Sequence, residues 1–260
     1  ISSLSNASSF RLVGGGVSQA SKQIFGSNEF MAAILVTATE GCHHGSMCYH
    51  YRSKRVEPAE FVREFQVQKN LDLHTDELMS PAKGYYPLDQ VPVIRLDENG
   101  ERELVALEWG FLPFWWKPSG QRTKRTGFQR KCVNAISEEL ESKPTYRAAF
   151  KSRRCLMPAT EFLEPDLMFR LPEERPFAFA ALWEEWKGPD GEVVQSCTML
   201  TTAANAEVEP VNDRMPLVLT SEAQYARWLD PEIKTREPLK TAMQAIGDGV
   251  LLSRPLKKQD

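Results

Sequence analysis

Two long apolar stretches separated by a short turn limit the fold of this chain most strongly. Residues 176–186 read "PFAFAALWEEW" and residues 194–204 read "VQSCTMLTTAA". Both stretches are rich in residues that favour strands. The segment "GPDGE" (188–192) between them carries the Gly, Pro and Asp that favour turns. The pattern therefore predicts two long strands joined by a turn, and a fold built around a β-sheet.

From residue 48 onward the chain adds shorter strands and a few helices. Shorter strands are predicted at 91–95, 102–109 and 216–219, with a turn at 97–100. Helices are predicted at 57–68, 145–152 and 222–229, the last capped by Ser221. No internal repeat and no linker interrupts this part of the sequence. The prediction is a single strand-rich α+β domain over residues 48–255.

Composition limits the class of function. The 260 residues carry a formal net charge of −3. This charge argues against a protein that coats nucleic acid by bulk electrostatics, so any DNA contact must come from a local patch. The chain has five cysteines, an odd number that does not indicate a disulfide framework and favours the reducing cytoplasm.

The first 46 residues differ from the rest of the sequence. They are rich in Ser and Gly, so we predict a flexible N-terminal extension that is absent from the active form. The apolar run "FMAAILV" (30–36) is too short to span a bilayer, and no basic segment precedes it. We therefore expect no membrane partner. Met31 and Met47 are both possible translation starts.

Basic residues cluster in two segments that follow a Trp-rich stretch, "EWGFLPFWWK" (108–117). Residues 117–131 contain six Lys or Arg and no acid, and residues 146–154 add four more. Cations for phosphates and aromatic rings for bases are typical of sites for single-stranded nucleic acid. A solvated basic loop beside a core of tryptophans is the alternative interpretation.

Cysteine and histidine are concentrated at residues 42–50, which contain Cys42, His43, His44, Cys48 and His50. These residue types bind metals, but no distant second pair completes a zinc site. The other cysteines occur singly among apolar residues, as buried cysteines do: Cys132, Cys155 and Cys197. We therefore predict no metal site.

Four longer motifs resemble, in order across about residues 47–230, the SOS response-associated peptidase (SRAP) family. They are Met47-Cys48, "LEWGFLPFWWK", "CVNAISEELESKPTYRAAFKSRRCLMPATEFLEP" and "LTTAANAEVEPVNDRMPLVL". The resemblance implies curved antiparallel β-sheets with a barrel-like core and flanking helices. It also implies covalent crosslinks with abasic sites in single-stranded DNA, through a cysteine that directly follows the initiator methionine. We expect a monomer and no cofactor.

The position of this cysteine matters because an N-terminal cysteine is a 1,2-aminothiol. Its amine condenses with the C1′ aldehyde of the abasic sugar, and its thiol closes a stable thiazolidine ring. An internal Cys48 would give only a labile hemithioacetal. The active form must therefore lack Met47, either through an aminopeptidase after a start at Met47 or through self-cleavage before Cys48. The resemblance thus implies low-turnover peptidase and lyase-type activity in the DNA damage response.

The resemblance also assigns roles position by position. Asn134 would hold the amine or the sugar by hydrogen bonds, and Glu164 takes the place of the catalytic glutamate as general acid and base. Trp109 would place its ring against the abasic site or its neighbouring base. The residues implied in DNA binding are Trp109, Gly110, Pro113, Trp115, Arg130, Arg147, Arg154, Arg214, Met215 and Pro216.

The chain departs from the family pattern at several places, including Glu161 in place of a glycine and Pro165 in place of a tryptophan. Asn212 stands where the family has a catalytic histidine, which should slow the release of a crosslink more than its formation. Ile136 replaces a family arginine that contacts phosphate. The family start Cys-Gly-Arg is here Cys48-Tyr49-His50, and His50 is a candidate to replace a missing group.

Two other classes of function remain open. One is a module that binds single-stranded or damaged DNA without covalent chemistry. The other is a thiol hydrolase with an N-terminal cysteine nucleophile that cuts peptide or amide bonds. Denaturant-resistant attachment to an abasic oligonucleotide would distinguish the crosslinking protein from both.

Overall fold

The computed structural model describes residues 48–54, 56–119 and 124–256. The predicted N-terminal extension, Met47 and the metal-type residues Cys42, His43 and His44 lie outside these ranges. Within them, every helix is too short or too polar to cross a membrane.

The described residues form twelve strands and five α-helices. The strands are β1 (His50–Arg52), β2 (Gln90–Leu96), β3 (Arg102–Trp109), β4 (Asn134–Ile136), β5 (Arg154–Ala159), β6 (Glu161–Glu164), β7 (Leu167–Arg170), β8 (Phe177–Lys187), β9 (Val193–Ala203), β10 (Arg214–Pro216), β11 (Val218–Leu219) and β12 (Leu252–Pro255). The helices are α1 (Pro58–Phe65), α2 (Asp76–Met79), α3 (Arg125–Gln129), α4 (Arg147–Ser152) and α5 (Glu222–Leu229). Short 3₁₀ helices are Leu71–Leu73, Ser137–Glu139, Pro172–Glu174 and Glu237–Leu239.

Five strands close a barrel. Strand β3 pairs with β2, β2 with β5, β5 with β8 and β8 with β9, and β9 returns to β3. The pairing of β3 with β9 is parallel, and the other four pairings are antiparallel. A separate four-stranded antiparallel sheet has the order β1-β6-β7-β12. These sheets confirm the predicted strand-rich α+β domain with a barrel-like core.

The two long strands occur where the sequence predicts them, each shifted by one residue. In their antiparallel pairing Ala181 lies opposite Met199 and Lys187 lies opposite Val193. The turn is closed by the amide of Gly188, which donates to the carbonyl oxygen of Glu192 at 2.7 Å. Gly191 has φ +87° in this turn, a conformation that favours glycine because it lacks a Cβ.

Side chains of β8 alternate between two buried layers, because successive residues of a strand point to opposite faces. Phe179 and Ala181 contribute to the barrel interior, together with one face of each other barrel strand. Ala178 and Ala180 point outward into a second layer. That layer includes Phe150 of α4 and Trp228 of α5. The helices therefore cover the outside of the barrel, and each buried aromatic side chain contributes about 1.5–3 kcal/mol.

Other elements differ from their predicted bounds for local reasons. Helix α5 begins at the predicted residue, and the hydroxyl of Ser221 accepts from the amide of Gln224 at 3.4 Å. Helix α1 ends before the predicted residue 68 because Gln66 takes a left-handed conformation at φ 49°. The strand predicted at 216–219 is divided into β10 and β11, since the chain there changes its partner from β9 to β8.

Candidate functional site

Cys48 lies two residues before β1, and β1 pairs with β6 so that His50 is opposite Leu163. The Cys48 side chain is buried, with 2% of its surface exposed. Its thiol donates to the carbonyl oxygen of His50 at 3.4 Å and to that of Leu163 at 3.7 Å. The pairing of β1 with β6 therefore places the thiol beside the strand that ends at Glu164.

Glu164 is the last residue of β6 and is 3% exposed. Burial raises its pKa from 4.5 to about 8, although a hydrogen bond from Asn212 acts in the opposite direction. Its Oε1 atom has no hydrogen-bond partner among the described residues. Burial also raises the pKa of the Cys48 thiol, and the charge of Glu164 raises it further. At neutral pH the site therefore holds a protonated thiol beside a largely protonated carboxyl group.

Asn134 begins β4, which lies parallel to β9 with Asn134 opposite Met199. Its Nδ2 atom donates to the carbonyl oxygen of Cys48 at 2.8 Å. Its Oδ1 atom is buried and has no hydrogen-bond partner in the described part of the chain. Asn134 therefore fixes the backbone of Cys48 and keeps one buried acceptor available.

Asn212 completes the group from the loop before β10. Its Nδ2 atom donates to Oε2 of Glu164 at 2.8 Å. The structure thus brings together all four residues predicted to be catalytic, from four separate elements. They are Cys48, Asn134, Glu164 and Asn212.

His50 does not take the place of the family histidine. Its Nε2 atom lies 3.0 Å from the carbonyl oxygen of Lys83, and its ring stacks on Tyr86 with centroids 4.3 Å apart. Burial lowers its pKa to about 4, so the ring is neutral at pH 7 and is a poor proton donor there. The other histidine of the described residues, His74, packs against Phe61.

The predicted DNA-binding residues divide into an exposed and an interior set. Trp115 is 42% exposed in the loop after β3, and its edge contacts Phe128. Arg130 and Arg147 are exposed. Arg214 is partly buried and forms an ion pair with Glu138 at 2.8 Å. Trp115, Arg130 and Arg147 are therefore accessible to a ligand.

The interior set lies within the packed structure. Trp109 is fully buried, and its indole N–H donates to the carbonyl oxygen of Val133 at 2.8 Å. Arg154 is 5% exposed and donates to the carbonyl oxygens of Phe150, Trp228 and Asp230. Both side chains are therefore held in the interior by hydrogen bonds to the backbone. Pro113, Met215 and Pro216 are also buried.

Gly110 has a packing role next to Trp109. Its φ is +150°, and a Cβ atom there would lie 3.0 Å from Cδ2 of Leu88 and 3.1 Å from Cβ of Gln129. The amide of Gly110 donates to the carbonyl oxygen of Cys197 at 2.9 Å. The Trp-Gly motif therefore joins the end of β3 to its neighbours in the interior of the protein.

Exposed aromatic residues that the sequence analysis did not single out lie close to these elements. Phe114 is 57% exposed beside Trp115, and Tyr86 is 39% exposed beside His50. Neither follows a strand or helix periodicity that would mark it. The described residues contain no group of three or more His, Cys, Asp or Glu side chains that could hold a metal ion.

The closed barrel and the Cys-Glu-Asn site define the class of protein. A profile of the SOS response associated peptidase (SRAP) family matches residues 47–259. The chain therefore belongs to this family, as its motifs indicate.

Individual relatives are similar to the chain in sequence, and solved structures share its fold. The chain is 33% identical over 173 residues to the abasic site processing protein YoqW of Bacillus subtilis (strain 168), covering 63% of this chain and 73% of YoqW. It is 28% identical over 172 residues to the abasic site processing protein HMCES of Xenopus tropicalis, covering 55% of this chain and 50% of that one. A crystal structure of a Bacteroides thetaiotaomicron protein shares the fold with a TM-score of 0.69 at 18% identity, covering 81% of this chain and 93% of that one. A Bordetella bronchiseptica protein gives a TM-score of 0.64 at 23% identity, covering 81% and 100%.

Proposed function

We propose that this protein processes abasic sites in single-stranded DNA by forming a thiazolidine between Cys48, as the first residue of the active chain, and the C1′ aldehyde of the lesion. The observation that carries the proposal is the position of the Cys48 thiol beside a buried carboxyl group, Glu164, whose pKa is about 8. The names of the relatives YoqW and HMCES support abasic sites as the substrate.

The chemistry needs a nucleophilic amine and then an acid. The free α-amine of Cys48, with a pKa near 8, adds to the aldehyde carbon and gives a carbinolamine. Protonated Glu164 donates a proton to the leaving hydroxyl, water departs and an imine forms. The imine keeps its nitrogen proton. The thiol sulfur then adds to the imine carbon, and the thiol proton passes to the Glu164 carboxylate, which restores the acid and leaves one hydrogen on the ring nitrogen. The net change is an aldehyde plus an aminothiol giving a thiazolidine plus water.

Asn134 positions the nucleophile. Its Nδ2 atom donates to the carbonyl oxygen of Cys48, so the orientation of the first residue is fixed before the aldehyde arrives. The buried Oδ1 atom is available to accept a hydrogen bond from the α-amine once the preceding peptide bond is absent. Such a contact would orient the amine lone pair toward the sugar, which favours attack.

Single-stranded DNA would reach the site along the accessible basic and aromatic side chains. Arg147 and Lys151 are exposed on α4, and Arg130 and Lys131 are exposed after α3. Trp115 supplies an exposed ring. Cations that neutralise phosphates and rings that stack on bases favour an unpaired strand over a duplex.

A thiol hydrolase fits these observations less well. Such an enzyme needs a thiolate and a base that activates it, whereas the pKa of the Cys48 thiol is raised by burial and by Glu164. In the described part of the chain, both histidines have other contacts, with Lys83 and Phe61. An amine that attacks first does not need a thiolate.

The test compares two forms of the protein on one abasic single strand. A chain expressed from Met47, from which an aminopeptidase removes the methionine, should give an adduct that survives denaturant without reductant. A chain that retains a blocked residue before Cys48 should not. Glu164→Gln in the first form should slow adduct formation by about 10²–10⁴-fold, and Cys48→Ala should abolish it. Equal, denaturant-stable attachment by both forms would contradict the proposal.

The origin of the free Cys48 terminus is part of the same proposal. The terminus arises either by aminopeptidase removal of Met47 or by self-cleavage before Cys48, and the two routes predict different behaviour of the full 260-residue chain. Self-cleavage predicts that the purified full chain releases its first 47 residues without another enzyme. Intact mass against time measures this directly, with Cys48→Ala as the matched control.

A further inference from the structure

Tyr86 forms an exposed aromatic surface beside the reactive cysteine. Its ring stacks on His50 with a centroid distance of 4.3 Å and an interplanar angle of 19°. Tyr86 nevertheless remains 39% exposed. Since His50 covers one face of the ring, the accessible area belongs to the rest of the tyrosine.

The stack is held rigidly from both sides. His50 Nε2 lies 3.0 Å from the carbonyl oxygen of Lys83, and the amide of Tyr86 donates to Oδ2 of Asp89 at 2.9 Å. Tyr51 and Tyr85 form an antiparallel bridge between β1 and this segment. A ring fixed in this way loses little conformational entropy when a ligand stacks on it.

The stack is carried by His50, two residues after Cys48, where the proposed function places the lesion. The Cys48 thiol touches the carbonyl of His50 at 3.4 Å, and the Cα atoms of Cys48 and His50 are at most about 7.6 Å apart, since each trans peptide spans 3.8 Å. Successive nucleotides of a stacked strand rise by about 3.4 Å. The backbone of His50, whose ring carries the stack, is therefore only about two such steps from that of Cys48.

We propose that the ring of Tyr86, backed by His50, is a stacking subsite for the nucleobase adjacent to the abasic site. This inference rests on the proposed function, because it places the lesion at Cys48. An unpaired base has two aromatic faces and no partner strand, so it gains by stacking on a protein ring whatever its identity. The base would extend the pair of rings to a stack of three.

The charges that face Tyr86 suit a nucleic acid neighbour. Burial raises the pKa of the Tyr86 phenol, while the charge of Arg52 acts in the opposite direction, so the phenol is neutral at pH 7. Burial likewise keeps His50 neutral. The ring pair is thus an uncharged surface with the Arg52 cation beside it, and Asp89, which also acts on the phenol, is bound to the Tyr86 amide.

The test is a double cycle that removes the ring, the base, or both. The Cys48-terminal protein is titrated with a thymine single strand that carries one tetrahydrofuran, an abasic analogue without an aldehyde, so binding stays reversible. Two further strands each lack one neighbouring base. In one of them the nucleotide on the 5′ side of the lesion is also tetrahydrofuran, and in the other the nucleotide on the 3′ side is. Tyr86→Leu removes the ring, and Tyr86→Phe is the matched control that keeps it.

We expect Tyr86→Leu to weaken binding of the strand with both neighbours by roughly 5- to 150-fold, the range for loss of one base–aromatic stack. On one of the two strands with a missing neighbour, Tyr86→Leu should not change the affinity. Tyr86→Phe should bind all three strands with the affinity of the original protein. The same loss on every strand would show that Tyr86 acts only on the fold and would overturn the subsite. No loss on any strand would overturn it too. Failure of crosslinking by the Cys48-terminal form would instead count against the proposed function, since the cycle uses no aldehyde.

Discussion

The side-chain amide of Asn212 is held between two groups that fix its orientation. Its Nδ2 atom donates to Oε2 of Glu164 at 2.8 Å, and its Oδ1 atom accepts from the amide of Arg214 at 3.2 Å. Asn212 therefore acts on Glu164 as a hydrogen-bond donor. A donor favours the carboxylate, but burial outweighs it, and the pKa of Glu164 remains at about 8.

Replacement of Asn212 by histidine should speed release of the crosslink and leave its formation nearly unchanged. Formation needs an acid that expels water, and Glu164 already supplies one. Ring opening needs protons to move in sequence between the sugar oxygen and the thiolate. Histidine can exchange protons at neutral pH with a pKa of about 6.5, whereas an amide cannot.

The measurement follows both steps with Asn212→His and the original protein. Formation rates should agree within about tenfold, because one acid–base group contributes ~10²–10⁴-fold only to the step in which it acts. Loss of preformed crosslink to an excess of unlabelled abasic strand should be faster in the variant. Unchanged release, or rapid release by the original protein, would show that another group performs the ring opening.

The raised pKa of Glu164 should make the protein less stable as pH rises toward 8. Between its ordinary pKa of 4.5 and its folded pKa of about 8, the folded protein keeps a proton that the unfolded chain releases. The free energy of unfolding should therefore fall by up to about 1.4 kcal/mol per pH unit in this window. Below pH 4.5 the stability associated with protonated Glu164 is fully present, and above pH 8 it is lost.

Glu164→Gln isolates this contribution, because other groups titrate equally in both proteins. Denaturant unfolding at several pH values between 4.5 and 8 gives the difference in unfolding free energy between the two. The variant should gain relative to the original protein as pH rises. A difference that stays constant across the window would mean that Glu164 has an ordinary pKa.

Arg147 should contact the DNA backbone, as the sequence predicts and its exposure at the start of α4 allows. Arg147→Ala should weaken binding of a single strand and reduce the slope of log affinity against log salt by about 0.7, the value for one phosphate. Lys240→Ala is a matched control, since Lys240 is an exposed cation in a different element, beside Glu237. An unchanged slope for Arg147→Ala, or the same change in both variants, would exclude a phosphate contact.

The sequence predicts the barrel strands better than it predicts the sheet that carries Cys48. Strand β3 and helix α5 begin and end where the sequence places them, because long periodic segments and a serine cap determine their bounds. Of the five barrel strands the sequence misses only β5, whereas it predicts none of the four strands of the other sheet, β1, β6, β7 and β12. These four strands have three or four residues with charged side chains among the apolar ones, and such short segments are determined by their partners more than by their own pattern.

The candidate site is likewise predicted only in part from the sequence. The identities of Cys48, Asn134, Glu164 and Asn212 follow from motif order, whereas their mutual contacts depend on four separate elements. Burial could not be inferred from residue type. Arg154 is a cation in a basic segment of the sequence, yet it donates hydrogen bonds to three carbonyl oxygens in the interior.

The most direct test of the central claim is to identify the atoms of the protein that are joined to the sugar. The crosslink made by the Cys48-terminal protein on an abasic single strand is denatured, treated with a thiol-alkylating reagent and an amine-acylating reagent, and cut with trypsin. Trypsin releases the first five residues, Cys48 to Arg52, as one peptide. A thiazolidine consumes both the nitrogen and the sulfur of Cys48. We therefore expect mass spectrometry to find the sugar remnant on this peptide with neither its amine acylated nor its thiol alkylated. A remnant on a lysine, or on this peptide with an alkylated thiol, would contradict the account.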